Sequence, residues 1–204
     1  MSSDFRLVIP RSHVNRDMRE ARQPHRGMVF WLTGLSGSGK STLAHRAEES
    51  LFARGYNIFV LDGDVIRRGL CRDLGFSPED RTENNRRAAE LARLFMLAGA
   101  VCLCAFISPQ QAARQQAREI VGGEFFREVY VACSLEECER RDVKGFYRKA
   151  REGSIPHYTG VSADYEVPAS PDLTISTEAA SEAQSAGELI AFIASRAGKN
   201  TPGR

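Results

Sequence analysis

No stretch of this chain is apolar for long enough to cross a bilayer. The longest run, from Ala98 to Ile107, is interrupted by Gly99 and is far shorter than the roughly 20 residues a spanning helix needs. The first residues are polar and carry no apolar signal core, so a cytoplasmic protein is expected. Paired cysteines are also missing. Cys71, Cys102, Cys104, Cys133 and Cys138 are odd in number and form no C-x-x-C pair. They predict free thiols in a reducing compartment, neither disulfides nor a zinc site. Charge of one sign is not in excess. With 28 basic and 26 acidic residues the net charge is +2, which gives no electrostatic reason to expect nucleic acid or a membrane as partner. Lysine is scarce, at 4 residues against 24 arginines, and three of the four are Lys40, Lys144 and Lys149.

What remains is ordinary globular composition, 204 residues with 42% hydrophobic and 26% charged, enough for one domain with a sizeable core. Within it stands Gly34-Leu35-Ser36-Gly37-Ser38-Gly39-Lys40-Ser41, followed by Thr42. This is a complete G-x-x-x-x-G-K-[ST] loop, set between the apolar run Val29–Thr33 and a helical pattern from Leu43 to Phe52. That strand–loop–helix setting makes the match specific. Glycines let backbone N–H groups approach phosphate oxygens, and the helix N-terminus adds unpaired donors. Lys40 is expected to meet the β/γ-phosphates of ATP, and the Ser41 hydroxyl to ligate Mg²⁺.

Strand patterns at 28–33, 57–62, 101–107, 127–133 and 172–176 alternate with helix patterns at 40–54, 78–99, 109–121, 135–142, 143–152 and 180–196. Continuous apolar strands between helices predict an α/β fold, a five-stranded parallel sheet with helices on both faces. Residues 1–27 are polar, lack a sustained period and are expected as a flexible arm. The domain is expected over 28–197, with 198–204 as a disordered tail.

The second strand runs into Asp62-Gly63-Asp64, where carboxylates at the carboxyl end of a parallel strand face the ligand crevice. Gly63 is expected to permit the turn. Asp64 suits an acceptor hydroxyl and either aspartate suits Mg²⁺, while the bland alternative is that Asp64 caps a helix beginning at Val65. The helix from Pro78 has Ser77 as N-cap and an S-x-x-D box. Its apolar stripe, Ala88, Leu91, Ala92, Phe95 and Ala98, extends back to Asn84 and Arg81. With Arg67 these make a candidate site for an anionic substrate. Phe76 is either a staple or a stacking platform. The run from Arg140 to Arg151 holds six basic residues; beside a phosphate loop it reads as a lid, and without one it would read as a solvated face.

Taken together, the blocks Trp31–Thr42, Leu61–Asp64 with Arg67, Leu74–Ser77 with Asp80, Arg81, Glu83 and Asn84, Phe106–Pro109, and Asp142–Gly145 with Tyr147 and Tyr158–Gly160 resemble the adenylylsulfate kinase family over roughly residues 25–196. The resemblance implies a three-layer P-loop kinase fold with a basic lid. It also implies phosphorylation of adenosine 5′-phosphosulfate (APS) on its 3′-hydroxyl by ATP with Mg²⁺. ATP would lie on Gly34 to Thr42, with Arg141 against its adenine. Phe76 and Tyr158 would sandwich the APS adenine. Arg67, Arg81 and Asn84 would hold its phosphosulfate and ribose, backed by Ile107 and Ser108, with Lys144 a mobile lid cation. Lys40, Asp64 and Ser108 would be the catalytic group, and Ser41 and Asp62 the metal side. Family descriptions give the serine of Phe-Ile-Ser-Pro a phosphoserine intermediate; in-line transfer does not need one, so Ser108 is read as a substrate contact. Tyr158 stands where Phe is usual, and Gln110 to Ala113 lack the aromatic and acidic residues often found there. A homodimer and a functional link to ATP sulfurylase are expected. The rival readings are another small-molecule P-loop kinase or a weakly catalytic nucleotide-binding subunit.

Overall fold

The computed structural model describes residues 13–142 and 144–198. Five strands, β1 (Met28–Thr33), β2 (Ile58–Asp62), β3 (Val101–Ala105), β4 (Phe126–Ala132) and β5 (Leu173–Ser176), form one parallel sheet in the order β2-β3-β1-β4-β5. The helices are α1 (Arg16–Glu20), α2 (Lys40–Phe52), α3 (Gly63–Arg68), α4 (Pro78–Leu97), α5 (Gln111–Val121), α6 (Leu135–Arg141), α7 (Phe146–Arg151) and α8 (Glu182–Ala197).

The central strand explains the layering. Every residue of β1 is buried, and alternate side chains point to opposite faces. Phe30 and Leu32 enter a core with Leu43 and Leu51 of α2 and Leu189 and Ile193 of α8. Val29 and Trp31 enter a second core with Ala88, Ala92 and Met96 of α4 and Ala117 of α5. Each large side chain so buried contributes roughly 1.5–3 kcal/mol. The expected three-layer fold is therefore present. α4 starts as the sequence predicts, with Ser77 Oγ accepting from Asp80 N at 3.1 Å.

Two local expectations change. The stretch 13–27 is not a loose arm. His25 is fully buried, stacks on Tyr56 at 4.7 Å, accepts from Asn57 N at Nε2 and donates from Nδ1 to Arg26 O. Glu20 accepts from Gly27 N at 2.9 Å, and Arg26 N reaches Ala197 O at 2.7 Å. This docking rests on hydrogen bonds and one aromatic stack, so it leaves no apolar period to read. Residues 1–12 and 199–204, where the rest of the arm and most of the tail were expected, lie outside the described residues. Gly63 is not a turn residue either: it opens α3, and a Cβ there would sit 3.3 Å from the Phe106 ring.

Candidate active site

All five strands deliver chain to one end of the sheet, their carboxyl ends. Gly34–Gly39 follow β1. Gly39 adopts φ 98° as the residue that caps α2, a left-handed conformation that favours glycine. A Cβ on Gly34 would come within 2.5 Å of Val131 O, so the loop lies directly on β4. The Lys40 ammonium donates to Gly34 O at 2.9 Å, Leu35 O at 2.6 Å and Ser38 Oγ at 3.3 Å. The side chain is 8% exposed, and burial lowers its pKa to about 8. Among the described residues its hydrogen bonds all go to neutral oxygens, and the charges of Asp62 and Asp64 offset its desolvation only in part, so an incoming polyphosphate would stabilise it. Thr177, after β5, clamps the other side of the loop through Ser38 O at 2.8 Å.

After β2 the aspartates divide their work differently from the bland reading above. Asp62, not Asp64, caps α3, accepting from Asp64 N at 2.9 Å. Its second oxygen accepts from Ser41 Oγ at 2.5 Å. Ser41 and Asp62 thus converge beside the phosphate loop as hard oxygen donors, the chemistry that suits Mg²⁺ held by few protein ligands together with substrate phosphates. Asp64 is left free of capping. It is half-exposed and ion-paired to Lys144 of the lid.

The candidate acceptor side lies on α3, α4 and the loop between them. Arg67 donates to Gly75 O at 2.7 Å, and its guanidinium lies 4.4 Å from the Phe76 ring centre. Arg81 donates to Phe76 O, Thr159 Oγ1 and His157 O, bridging α4 to the chain beyond the lid. Among the described residues neither arginine makes a salt bridge; burial lowers the pKa of both, against the weaker pull of Asp80 and Asp64 on Arg67. By contrast Arg86 and Arg87 pair with Glu83, and Arg87 also with Asp73. Asn84 is 4% exposed, and its Oδ1 has no hydrogen-bond donor among the described residues. An unpaired buried acceptor costs about 1–3 kcal/mol, so this oxygen is poised for a ligand donor.

Phe76 is exposed, with Arg67 over its face. Tyr158 is buried and edge-on to Tyr147. Arg81 bonds Phe76 O and the two neighbours of Tyr158, so it ties together the segments that carry both rings; a base stacking on Phe76 must displace or share Arg67.

Ile107 and Ser108 follow β3. Ile107 O accepts from Thr33 Oγ1 at 2.8 Å. Ser108 is 3% exposed, holds φ 38° and accepts from Trp31 Nε1 at 3.1 Å. Its hydroxyl therefore retains one proton to donate.

The basic run is two short helices, and only part of it faces the loop. Arg141 reaches Gly37 O at 3.3 Å and Thr177 O at 2.8 Å, steadied by Glu137 at 2.8 Å. Arg140, also on Glu137, is mostly exposed. Tyr147 is buried and donates to Ser36 O at 2.9 Å, pinning the lid to the phosphate loop. Tyr147→Phe removes one such bond, worth about 0.5–1.5 kcal/mol. The expected outcome is a several-fold rise in KM for ATP with the fold unchanged, measured by steady-state kinetics and thermal melting. An unchanged KM would mean that the pin plays no part in holding nucleotide.

Thr33, Tyr147, Arg114, Tyr165 and Thr177 were given no role by the sequence reading, although Thr33 and Tyr147 fall within its motif blocks. Arg114 meets the site through the nearby Ser108 and Pro109 carbonyls. Thr33, Tyr165 and Thr177 meet it through partners far away in the chain.

The sequence profile of the family described as Adenylylsulphate kinase matches residues 26–176. A relative named adenylyl-sulfate kinase from Acaryochloris marina is 50% identical over 190 residues, 93% of this chain and 93% of its own. One named probable adenylyl-sulfate kinase from Bacillus subtilis is 46% identical over 187 residues, 92% of this chain and 95% of its own. Among solved structures, Mycobacterium tuberculosis APS kinase CysC in complex with AMPPNP and APS superposes with TM-score 0.80 at 44% identity, covering 83% of this chain and 99% of that one. By the profile match over most of its length and by relatives near 50% identity, the chain belongs to the adenylylsulphate kinase family.

Proposed function

We propose that this chain transfers the γ-phosphoryl group of ATP to the 3′-hydroxyl of APS, giving ADP and 3′-phospho-APS. The observation that carries this reading is the pair Arg67 and Arg81. Two partly desolvated cations, without a salt bridge among the described residues, stand with the exposed Phe76 ring and the unsatisfied Asn84 oxygen. That combination fits an anionic group joined to a nucleoside. A relative's complex with AMPPNP and APS supports the same substrate pair. A kinase for a neutral sugar has no use for two unpaired guanidiniums. A catalytically weak subunit has no use for an intact Lys40, Asp62 and Asp64.

In this reading the loop amides from Gly34 to Thr42 and Lys40 cradle the polyphosphate, with Arg141 toward the ATP base. Ser41 and Asp62 would hold Mg²⁺, which when bound would supply charge neutralisation on the phosphates. Asp64 orients the 3′-hydroxyl and takes its proton. Phosphoryl transfer has a loose transition state, so positioning and charge count for more than nucleophile activation. Lys144 exchanges Asp64 for phosphate as the lid closes and excludes water. Ile107 and Ser108 line the acceptor pocket, and Phe76 and Tyr158 frame the APS base. A cytoplasmic homodimer supplied with APS by an ATP sulfurylase belongs to the same reading. Among the described residues no helix is long and apolar enough to cross a membrane.

The reading is tested on Arg81. Arg81→Ala removes a fork of charge-assisted donors, commonly worth about 1.5–3 kcal/mol. KM for APS should rise roughly ten- to a hundred-fold and KM for ATP little. Arg86→Ala, on the Glu83 side of the same helix, should be nearly silent. Equal effects on both substrates, or of both substitutions, would place the acceptor elsewhere.

A further inference from the structure

Arg114 lies on α5, outside every group of residues described so far as binding substrate, and is 3% exposed. Its guanidinium is fully engaged. Nε donates to Glu128 Oε1 at 2.6 Å, Nη1 to Ser108 O at 2.9 Å and Pro109 O at 3.2 Å, and Nη2 to Glu166 O at 2.8 Å. Three of these four acceptors are backbone carbonyls from two separate walls around Arg114. One wall is the Ile107–Pro109 turn after β3. The other is the chain returning from the lid. Further bonds tie the same two walls: Glu166 N donates to Pro109 O at 2.9 Å, the Glu166 carboxylate accepts from Gln111 N at 2.6 Å, and the Tyr165 hydroxyl meets Thr33 Oγ1 at 2.9 Å.

We infer that Arg114, held by Glu128, is the positioning residue that keeps the Ser108 turn and the lid return in register around the acceptor. Ser108 carries a left-handed backbone at φ 38°. A non-glycine residue keeps such a conformation only where its surroundings over-determine it. The Arg114 bond to its carbonyl and the Trp31 bond to its hydroxyl supply that constraint. Glu128 faces Trp31 in the register of β4 on β1, so the same pair of strands sets both. Only a planar fork serves all four acceptors at once; a lysine ammonium offers three donors from one point. The consequence is confined to the acceptor. The phosphate loop makes none of these bonds, and its lysine, serine and clamping threonine are held from elsewhere.

This inference rests on the proposed APS reading, and the test separates the two. Arg114→Lys and the double substitution Arg114→Met/Glu128→Leu are compared with wild type. The double variant replaces the ion pair by apolar groups of similar size, which is often neutral for stability. Expected are a KM for APS raised about tenfold or more in both variants, a KM for ATP within about twofold of wild type, and a melting temperature recovered in the double variant without recovery of the APS defect. Hydrogen exchange of the nucleotide-free protein should show faster exchange at the amides of residues 107–108 and 165–166 and no change at 34–41. Parallel rises in both KM values, recovery of the APS defect together with stability, or unaltered exchange at 107–108 would overturn the assignment. If wild type fails to turn over APS, the APS reading falls, and the exchange pattern decides the role of Arg114 by itself.

Discussion

Lys40→Ala should lower turnover by at least ~10²–10³, the usual cost of one preorganised charge at a developing anion, while the protein still folds. Among the described residues the buried ammonium donates only to Gly34 O, Leu35 O and Ser38 Oγ. Burial lowers its pKa to about 8. The site therefore keeps a cation in a place that disfavours it until negative charge arrives. Its attraction is greatest where charge moves during transfer, so its loss falls on turnover and less on ground-state binding. Removing a desolvated cation also leaves no buried charge uncompensated, so melting should shift by only a few degrees. Steady-state kinetics beside a thermal melt checks both parts. Near wild-type turnover would contradict the role given to the phosphate loop, and an unfolded variant would show that the lysine is structural.

Asp64→Asn should cut kcat by ~10²–10⁴, the range for a positioned general base, and leave ATP affinity within a few-fold. Asparagine preserves the shape but cannot take a proton. The carboxylate is half-exposed, pairs with Lys144 and plays no part in capping α3, because Asp62 does that. A loose transition state puts the expected effect at the lower end of the range. Nucleotide affinity by calorimetry and kcat by coupled assay separate the outcomes. A fall in ATP affinity with unchanged kcat would make Asp64 a metal or structural residue. Asp62→Asn is the useful comparison, since it strikes Ser41 and the α3 cap together.

The contrast between those aspartates shows what the sequence could reveal. The Asp-Gly-Asp spacing at a strand end placed both carboxylates at the ligand side, but spacing alone could not say which one the backbone would consume. The sheet and its two cores were legible because β1 and its neighbours are continuous apolar runs and because α4 has a cap and an apolar stripe. Asn84 and Arg81 were legible for the same reason, as extensions of that stripe. Residues 13–27 were not, because His25 and Glu20 are buried through hydrogen bonds and no apolar period marks them. Thr177 and Thr33 act through partners 139 and 74 residues away, and nothing local distinguishes them from surface threonines. Arg114 was hidden by its neighbours. The departures from the family pattern lie at Gln110 to Ala113, whereas the residue that holds that turn, Arg114, comes next along the helix.

The central claim is tested most directly by incubating the purified chain with Mg²⁺, ATP labelled at the γ-phosphate and APS, and identifying the labelled product by mass and phosphorus NMR. The account predicts one ADP formed for each 3′-phospho-APS, with the label on the 3′-oxygen. Label released only as inorganic phosphate, or carried to another alcohol offered in the same panel while APS stays unlabelled, would contradict it.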